Sequence, residues 1–425
     1  MTAVRGPLLL DCEDSAWFRD QPEAARGAAA ALGRRVGLGE HRTAQLVLAV
    51  AELATNASKH ATDGSVVLRV LRNRDVAGVE VVVVDSGPGM ADVATALRDG
   101  VSTAGTLGIG LGAVQRLADR FDVHSVPGLG TVQLARFWPH PLPASVAGEA
   151  VVGGITRPIG GEDVCGDAWA ARTDTGEWTE QTERTDRTER TERTERTERT
   201  TAERTDRAGR SGTALGGALR ASTGSAGGSV LAARAGHLPS TGAPGKVRSE
   251  LVHGAVAGSG QGVLVMSCDG LGHGPMAAAA SQAAVKAFHQ GSARLPDQAV
   301  QEVHRALRGT RGAAVAVARL EPDGRVLFCG IGNISASIVT PEFRSNLLSH
   351  PGIVGHQMRQ LRTYEQQLPF GGALVMHSDG LSERWKPSDL GSLLHHSPAL
   401  IATGLLRHAG TRRDDASVVI AKGAW

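Results

Sequence analysis

The sequence has little of what marks secreted, membrane or thiolate-metal proteins. Aromatic residues make up only 3% of the 425 residues, so aliphatic side chains and alanine must build the cores. The four cysteines lie far apart and form no Cys-x-x-Cys pair, which argues against a structural zinc site or a disulfide framework. No uncharged apolar stretch approaches the roughly 20 residues that a membrane span needs, and the first residues lack the apolar segment of a signal peptide. We therefore expect a soluble, cytoplasmic protein with no membrane partner.

An excess of charge of one sign is also missing. Lys and Arg number 45 against 43 Asp and Glu, which leaves a net charge of +2. This balance gives no electrostatic reason to expect a nucleic acid as partner. The length does allow two or three domains, each with its own core.

Two patterned segments and one unpatterned segment divide the chain. Residues from about 8 to 138 alternate helical and strand patterns, and prolines at 139, 141 and 143 mark a boundary. We predict a first domain over residues 1–138, a linker over 139–150 and a second domain over 151–425. Thr-Glu-Arg triplets, followed by Ala, Gly and Ser, fill residues 179–228. This composition predicts a low-complexity insertion, because so few apolar side chains cannot offset the entropy of ordering it.

A helical pattern from Thr43 to Ala61 carries an acid and an amide one turn apart. Glu52 and Asn56 share one face of this helix. The amide oxygen can bind Mg²⁺, and the carboxylate can orient or deprotonate an attacking hydroxyl. Alone, such a pair more often marks an exposed helix face, so an ATP site needs further signals.

Two glycine-rich motifs supply those signals. The β-branched run Val79 to Val84 leads directly into Asp85-Ser-Gly87-Pro-Gly89. A buried carboxylate there can accept a hydrogen bond from the adenine amine, and the glycines let the backbone approach the ring. Further on, Gly108-Ile-Gly110-Leu-Gly112 precedes a helical pattern. Glycine turns before a helix expose backbone N–H groups to phosphate.

Together these motifs resemble a known family. Glu52-Leu-Ala-Thr-Asn56-Ala-Ser-Lys-His60 and the two glycine motifs resemble the N, G1 and G2 boxes of GHKL-type ATPases. The glycine run and Gly130-Thr131 are similar to the RsbT branch of anti-sigma-factor serine kinases. The resemblance implies a two-layer α/β sandwich in which Asn56 binds Mg²⁺, Asp85 contacts adenine and Glu52 is the general base. It further implies a short lid over 90–107 and these ATP-binding residues: Gly87, Gly89, Gly108, Gly110, Gly112 and Thr131.

The second domain contains four acidic motifs, each at the end of a predicted strand or just before one. They are Cys165-Gly-Asp167, Asp269-Gly270-Leu-Gly-His-Gly274, Ser378-Asp379-Gly380 and Asp414-Asp415-Ala-Ser417. Carboxylates delivered from several strand ends to one point make a cage of hard oxygen ligands, which suits Mg²⁺ or Mn²⁺. One Asp-Gly pair alone predicts a turn, whereas four motifs in this order favour a metal centre.

This pattern resembles the metal-dependent serine/threonine phosphatases of type 2C, in their bacterial SpoIIE/RsbX branch, over about 151–422 apart from the insertion. The resemblance implies an α-β-β-α sandwich, so the fold class of the whole chain is predicted to be α+β. Asp415 takes a neighbouring position. The implied metal ligands are Asp167, Asp269, the Gly270 carbonyl, Asp379 and Asp414.

The two halves together predict a bifunctional partner-switching regulator. The kinase half would use ATP, and the phosphatase half Mg²⁺ or Mn²⁺. The resemblance implies that both act on STAS-domain anti-sigma antagonist proteins and their phosphorylated forms, in control of a sigma factor. Two alternatives stay open: the ATP domain sequesters a partner by nucleotide-dependent docking, or it senses ATP and regulates a phosphatase.

Overall fold

The structure is a computed structural model, and it describes residues 6–74, 76–98, 110–160, 162–174, 250–252 and 261–423. The predicted insertion over 179–228 lies outside these residues, as do Gly108 and much of the predicted ATP lid. The described residues all belong to one compact unit. Among their helices, none has the length and apolar character that crossing a bilayer requires.

The amino-terminal part is a five-stranded antiparallel sheet with two long helices on one face. These helices are α1 (Pro22–Arg35) and α2 (Glu40–His60). Two short helices, α3 (Val93–Ala96) and α4 (Leu111–Leu117), follow the third strand. The strands run in the order β1-β2-β3-β5-β4 and are β1 (Asp11–Arg19), β2 (Ser65–Asn73), β3 (Val76–Val84), β4 (Arg120–Val126) and β5 (Gly130–Phe137).

Residue patterns explain this layer. Leu46, Val50 and Leu53 recur at helical spacing along α2 and are buried against the sheet. The valine-rich strand β3 is buried along both faces: Val81 packs towards the helices, whereas Val82 packs on the opposite side. The predicted helix and strands, and the predicted sandwich, are confirmed. Since the sheet is apolar on its second face as well, another layer must cover that face.

The carboxy-terminal part contains two stacked sheets with a shared apolar core that includes Val265, Phe328 and Met376. One sheet has the order β7-β9-β10-β11-β15-β8, with β14 paired to β11, and the other has the order β13-β12-β16-β17-β6. The strands are β6 (Val152–Arg157), β7 (Asp167–Thr173), β8 (Glu250–Val252), β9 (Val263–Gly270), β10 (Ala313–Leu320), β11 (Arg325–Ile331), β12 (Ser335–Val339), β13 (Arg344–Leu347), β14 (Ser349–His350), β15 (Thr363–Gln367), β16 (Ala373–His377) and β17 (Ala416–Ala421).

Helices cover the outer faces of both sheets. Helices α5 (Pro275–Gln290) and α6 (Pro296–Ala306) pack on the first of them, through a cluster that includes Met266 and Phe288. The short helix α7 (Pro387–Leu390) and helix α8 (Pro398–Ala409) pack on the second. The predicted α-β-β-α sandwich and the α+β class are therefore confirmed.

Helix α8 also covers the second face of the amino-terminal sheet. Every residue of α8 from Pro398 to Leu406 is buried. Leu400 and Leu405 share one core cluster with Val82 and Leu134 of the amino-terminal strands. A helix that is apolar on all sides is expected to be surrounded by protein, and α8 meets that expectation by packing between two sheets.

Candidate active sites

Helix α2 places the acid and the amide of the predicted ATP site one turn apart. The Asn56 Nδ2 group donates a hydrogen bond to Glu52 Oε1 over 3.1 Å, and both side chains are half-buried. With the amide nitrogen turned to the carboxylate, the carbonyl oxygen of Asn56 is available as a ligand for a cation. The pair is therefore compatible with a Mg²⁺–nucleotide site.

Asp85 follows β3 directly and is nearly buried. Its Oδ1 accepts a hydrogen bond from the Gly87 amide at 2.8 Å, and its own amide donates to the Thr131 carbonyl at 2.9 Å. Burial raises the pKa of the Asp85 carboxyl, against the opposing effect of the Gly87 hydrogen bond. The Ser86 amide donates to the Thr62 carbonyl just beyond α2. The structure thus brings the Asp85 loop and the helix of Glu52 and Asn56 together.

Glycine is required at two positions of this loop region. A Cβ atom at Gly89, where φ is +68°, would overlap the Val126 carbonyl. At Gly130, where φ is +97°, it would overlap the Asp85 carbonyl. Both positions combine a left-handed backbone with a close backbone approach, which only glycine allows. The backbone around Asp85 is therefore shaped by residues that cannot be exchanged.

The remaining predicted ATP residues lie on β5 and at α4. Thr131 is buried, and its Oγ1 lies 2.8 Å from Ser125 Oγ. Gly110 is the N-cap of α4 and Gly112 is buried within that helix. The predicted residue Gly108 lies outside the described residues. The two glycines that are described thus stand at the start of the helix that follows the predicted lid.

Two of the predicted metal ligands face each other across neighbouring strands. Asp167 begins β7 and lies directly opposite Asp269 on β9. Asp167 is only 4% exposed, and its Oδ2 accepts no hydrogen bond within the described part of the chain. Burial, followed by the charge of Asp269, raises the pKa of Asp167 well above its usual range. Hydrogen bonds from Ser378 and Ser417 oppose this rise in pKa. A buried carboxylate that lies beside a second carboxylate and has one oxygen without a partner is an arrangement that a cation stabilises.

Asp379 and Asp414 lie next to this pair. Burial and then the charges of Asp379 and Asp414 raise the pKa of Asp269 to about 7. Asn333 connects two of the carboxylates: its Nδ2 donates to Asp379 Oδ2 over 2.6 Å, and its hydrogen bond to Asp269 acts to lower that pKa. No role was predicted for Asn333 from the sequence; this side chain lies two residues after the end of β11.

Gly270 is held in place at the end of β9. Its amide donates to the Gly166 carbonyl over 3.1 Å, and a Cβ atom at this position would overlap the Ala277 carbonyl of α5. Strand β9 therefore ends in close backbone contact with both the β7 loop and α5. The Asp269–Gly270 step is thereby positioned by three elements at once.

Asp415, the neighbour of Asp414, has a different environment. It is 3% exposed, and its two carboxylate oxygens accept hydrogen bonds from the Ile159 amide at 2.7 Å and the Gly166 amide at 2.8 Å. Asp414 is exposed and accepts the amide of Asp415 over 2.9 Å. Asp415 thus fixes the loop that leads to Asp167, which sequence spacing did not show.

The four aspartates are neighbours without forming a finished coordination shell. Among the His, Cys, Asp and Glu residues that the structure describes, no group of three is placed to hold one ion. Asp379 and Asp414 are exposed at the surface of the cluster, while Asp167 is buried beneath them. The all-oxygen donor set and the unpartnered Asp167 oxygen fit a hard divalent cation. The residues present are therefore compatible with Mg²⁺ or Mn²⁺.

Two regions of the chain match known protein families. Residues 19–136 match the family described as a histidine kinase-like ATPase domain, and residues 259–423 match Stage II sporulation protein E (SpoIIE). The serine/threonine-protein kinase RsbT of Bacillus subtilis (strain 168) is 36% identical over 115 residues, which cover 27% of this chain and 86% of RsbT.

Two solved structures are similar to this chain over longer stretches, but with low TM-scores. A structure of the bacterial stressosome has a TM-score of 0.40 and 22% identity, and covers 64% of this chain and 98% of its own. RsbX in complex with magnesium has a TM-score of 0.38 and 14% identity, with 63% and 92% coverage. Similarity at this level adds nothing to the fold described above. Through the 115 residues that match RsbT, the chain belongs to the RsbT family of serine/threonine-protein kinases, and it carries a SpoIIE domain over residues 259–423.

Proposed function

We propose that this chain is a bifunctional partner-switching regulator, which phosphorylates and dephosphorylates a serine or threonine of a small protein. The meeting of Asp167, Asp269, Asp379 and Asp414 at the ends of separate strands carries the phosphatase half of this proposal. We assign the kinase to residues 1–138 and the phosphatase to residues 151–425, joined by a linker over 139–150.

In the phosphatase half, the four aspartates and the Gly270 carbonyl would hold Mg²⁺ or Mn²⁺. Such ions supply a bound water of lowered pKa and neutralise phosphate charge. The chain itself contributes the contacts that position these aspartates. Adjacent strands hold Asp167 opposite Asp269, Asn333 holds the Asp379 carboxylate, and Asp415 holds the backbone that leads to Asp167.

In the kinase half, Asn56 would bind the Mg²⁺ of ATP and Asp85 would accept the adenine amine. Thr131 and the glycines at 87, 89, 108, 110 and 112 would border the nucleotide. Glu52 would orient or deprotonate the hydroxyl that is phosphorylated. Its hydrogen bond with Asn56 supports a kinase over a sequestering module, because docking alone needs no base beside the metal ligand.

The substrates that we propose are STAS-type anti-sigma antagonist proteins and their phosphorylated forms. The likeness to RsbT supports this class of partner. We place the protein in the cytoplasm, where it would control a sigma factor. Two opposed activities in one chain raise the effective concentration of each at a shared target.

One experiment tests both activities in the full chain. Candidate STAS proteins are incubated with the protein and γ-labelled ATP, and the label is then chased with unlabelled ATP and Mn²⁺. We expect label transfer that Glu52→Gln abolishes, and label release that Asp379→Asn abolishes. Tight complex formation without any label transfer would instead favour the sequestering module.

A second candidate role is ATP sensing that controls the phosphatase. The observation in its favour is a direct contact between the two halves, in which Arg407 of α8 donates to the Asp85 carbonyl over 3.2 Å. In the same labelling experiment, this role wins if no protein is phosphorylated while ATP still changes the rate of label release from a substrate phosphorylated by other means.

A further inference from the structure

One helix contacts the predicted nucleotide site at one point and the predicted metal site at another. Arg407 lies in the last turn of α8, and its Nη1 donates to the Asp85 carbonyl at 3.2 Å. The Asp85 charge and the partly buried guanidinium affect one another, since burial lowers the pKa of Arg407 and the Asp85 charge opposes that shift. The end of α8 thus directly contacts the residue that we expect to bind adenine.

The same end of α8 is attached to the loop of Asp379. The Ser382 amide donates to the Ala409 carbonyl, and the Thr411 amide donates to the Gly380 carbonyl, each over 2.8 Å. A β-bridge between Leu381 and Gly410 lies between these two bonds. The backbone on both sides of the bridge therefore has to move together, so a shift at the end of α8 moves the Asp379 loop.

The chain then continues from α8 into the second metal-binding segment. Only a few residues separate Ala409 from Asp414 and Asp415, and a Cβ atom at Gly380 would overlap the Asp415 carbonyl. The loops of Asp379 and Asp414 are therefore packed against each other as well as against α8. Cores packed this closely change between discrete arrangements and do not deform smoothly.

An ion pair forms a second connection. Arg412, which follows α8, pairs with Asp63, which follows α2, the helix of Glu52 and Asn56. Both partners are largely exposed, so this pair contributes little energy by itself. Like the Arg407 contact, however, this pair joins the segment before Asp414 to the part of the chain that carries the predicted nucleotide site.

We propose that Arg407 is a positioning residue for the phosphatase, through which nucleotide bound at Asp85 sets the placement of Asp379 and Asp414. This inference rests on the proposed function for the identity of both sites. A nucleotide that orders the end of β3 fixes the carbonyl to which Arg407 donates, and so orders the end of α8 and the two metal loops. Because such coupling is reciprocal, metal binding at the aspartates strengthens nucleotide binding by the same factor.

Hydrogen exchange on the full chain tests the connection without reference to catalysis. Exchange of the Ser382 and Thr411 amides is measured with and without saturating ADP, at the same concentration of free Mg²⁺ in both samples. We expect nucleotide to slow their exchange about fivefold in the unaltered protein, at the low end of usual couplings. In Arg407→Ala, at a nucleotide concentration that saturates the variant, this response should disappear.

A matched control removes another contact between the same two halves. His396 Nδ1 lies 2.7 Å from Asp122 Oδ1, near the opposite end of α8. His396→Ala should keep the nucleotide response. Arg407→Lys, which keeps the charge but loses the guanidinium geometry, should reduce the response at least twofold and serves as the test if the alanine variant does not fold. An equal response in the Arg407 variants and the unaltered protein would overturn the proposal.

Hydrolysis of p-nitrophenyl phosphate separates this proposal from the proposed function. With free Mn²⁺ held constant, ADP should change the rate severalfold in the unaltered protein, whereas tripolyphosphate, which also chelates metal but has no adenine, should not. Absence of hydrolysis under every condition contradicts the phosphatase assignment itself. Normal hydrolysis with no effect of ADP, together with unchanged amide exchange, contradicts only the role of Arg407.

Discussion

Burial separates two adjacent aspartates into different roles. Asp414 is exposed beside Asp269 and Asp379, where its charge raises the pKa of Asp269. Asp415 is buried and accepts two backbone amides from the segment before β7. A pair of identical side chains in sequence therefore provides one candidate ligand and one structural acceptor. Only the side-chain environment distinguishes them, which is why the family resemblance named Asp414 as the ligand without explaining the role of Asp415.

Substitutions at these two positions should separate activity from stability. Asp415→Ala leaves the half-buried Ile159 amide and the buried Gly166 amide without acceptors, so we expect the free energy of unfolding to fall by about 2–4 kcal/mol. Asp414→Ala should change it by less than about 0.5 kcal/mol and abolish metal-dependent phosphatase turnover. Urea unfolding and phosphatase assays on both variants check this. Equal loss of stability in the two variants would contradict the division of roles.

The raised pKa of Asp269 predicts a pH dependence of the metal-free protein. Its folded pKa of about 7 lies above the usual 3.8. Between these values the folded state binds more protons than the unfolded state, so the free energy of unfolding falls as pH rises from about 4 to about 7. Asp269→Asn removes this contribution and should stabilise the metal-free protein by about 1–3 kcal/mol at pH values above 7.

Urea unfolding in a chelator, at pH 5 and at pH 8, measures this effect. We expect a small difference between the variant and the unaltered protein at the lower pH and the full difference at the higher pH. Added Mn²⁺ should reduce this difference in the free energy of unfolding, because it stabilises only the unaltered protein. The variant should also lose at least about 100-fold in phosphatase turnover. A variant that is less stable at pH 8 would argue against uncompensated charge at this site.

At the scale of elements, the amino-terminal sheet depends on a buried ionic network. Glu80 on β3 accepts from Arg69 Nε on β2 at 2.7 Å and from Arg136 Nε on β5 at 2.6 Å. Arg69 Nη1 also donates to the Gly154 carbonyl of β6 over 2.6 Å. Despite burial, the charges of the two arginines lower the pKa of Glu80. The network thus joins three strands of one sheet to a strand of another.

Removal of the shared acid should therefore be costly. Glu80→Ala leaves the buried Arg69 guanidinium without a carboxylate partner and leaves Arg136 with only the partly exposed Glu149. We therefore expect a loss of about 3–5 kcal/mol in the free energy of unfolding. Glu13→Ala is the control, because Glu13 pairs with Arg72 between half-exposed side chains on β1 and β2. That variant should lose less than about 1 kcal/mol. Similar losses in both variants would mean that the network is not truly shielded from water.

The elements themselves could be predicted from sequence where the pattern is local. The valine run of β3 and the apolar spacing of α2 each describe one element and its buried face, and both were predicted. Asn333 and Arg407 could not be predicted, because their partners Asp379 and Asp85 are distant in sequence. The run from Pro398 to Leu406, whose only polar side chain is Thr403 and which the structure buries completely, is a sequence signal that was overlooked. A helix without a polar face must pack on more than one side.

At the scale of the molecule, α8 gives the amino-terminal sheet and the sheet that contains β17 one common core. Ile401 and Leu405 lie in the cluster that contains Val82 and Val132 of the amino-terminal sheet together with Val418 of β17. No such sharing is expected from two domains joined by a linker alone, because domains with separate cores unfold separately. The proposed boundary near residues 139–150 therefore divides activities and does not divide the core.

This shared core predicts that one substitution in α8 weakens both halves. Leu405 is fully buried, so Leu405→Ala should leave a cavity that costs about 2–5 kcal/mol. Native-state hydrogen exchange then reports the free energy of opening separately for β3 and for β16. We expect both values to fall by similar amounts. Leu46→Ala, in a cluster confined to the amino-terminal half, should lower the value for β3 more than the value for β16. If Leu405→Ala weakened β16 alone, α8 would belong to the phosphatase core only, and the route from nucleotide to metal through this helix would lose its structural basis.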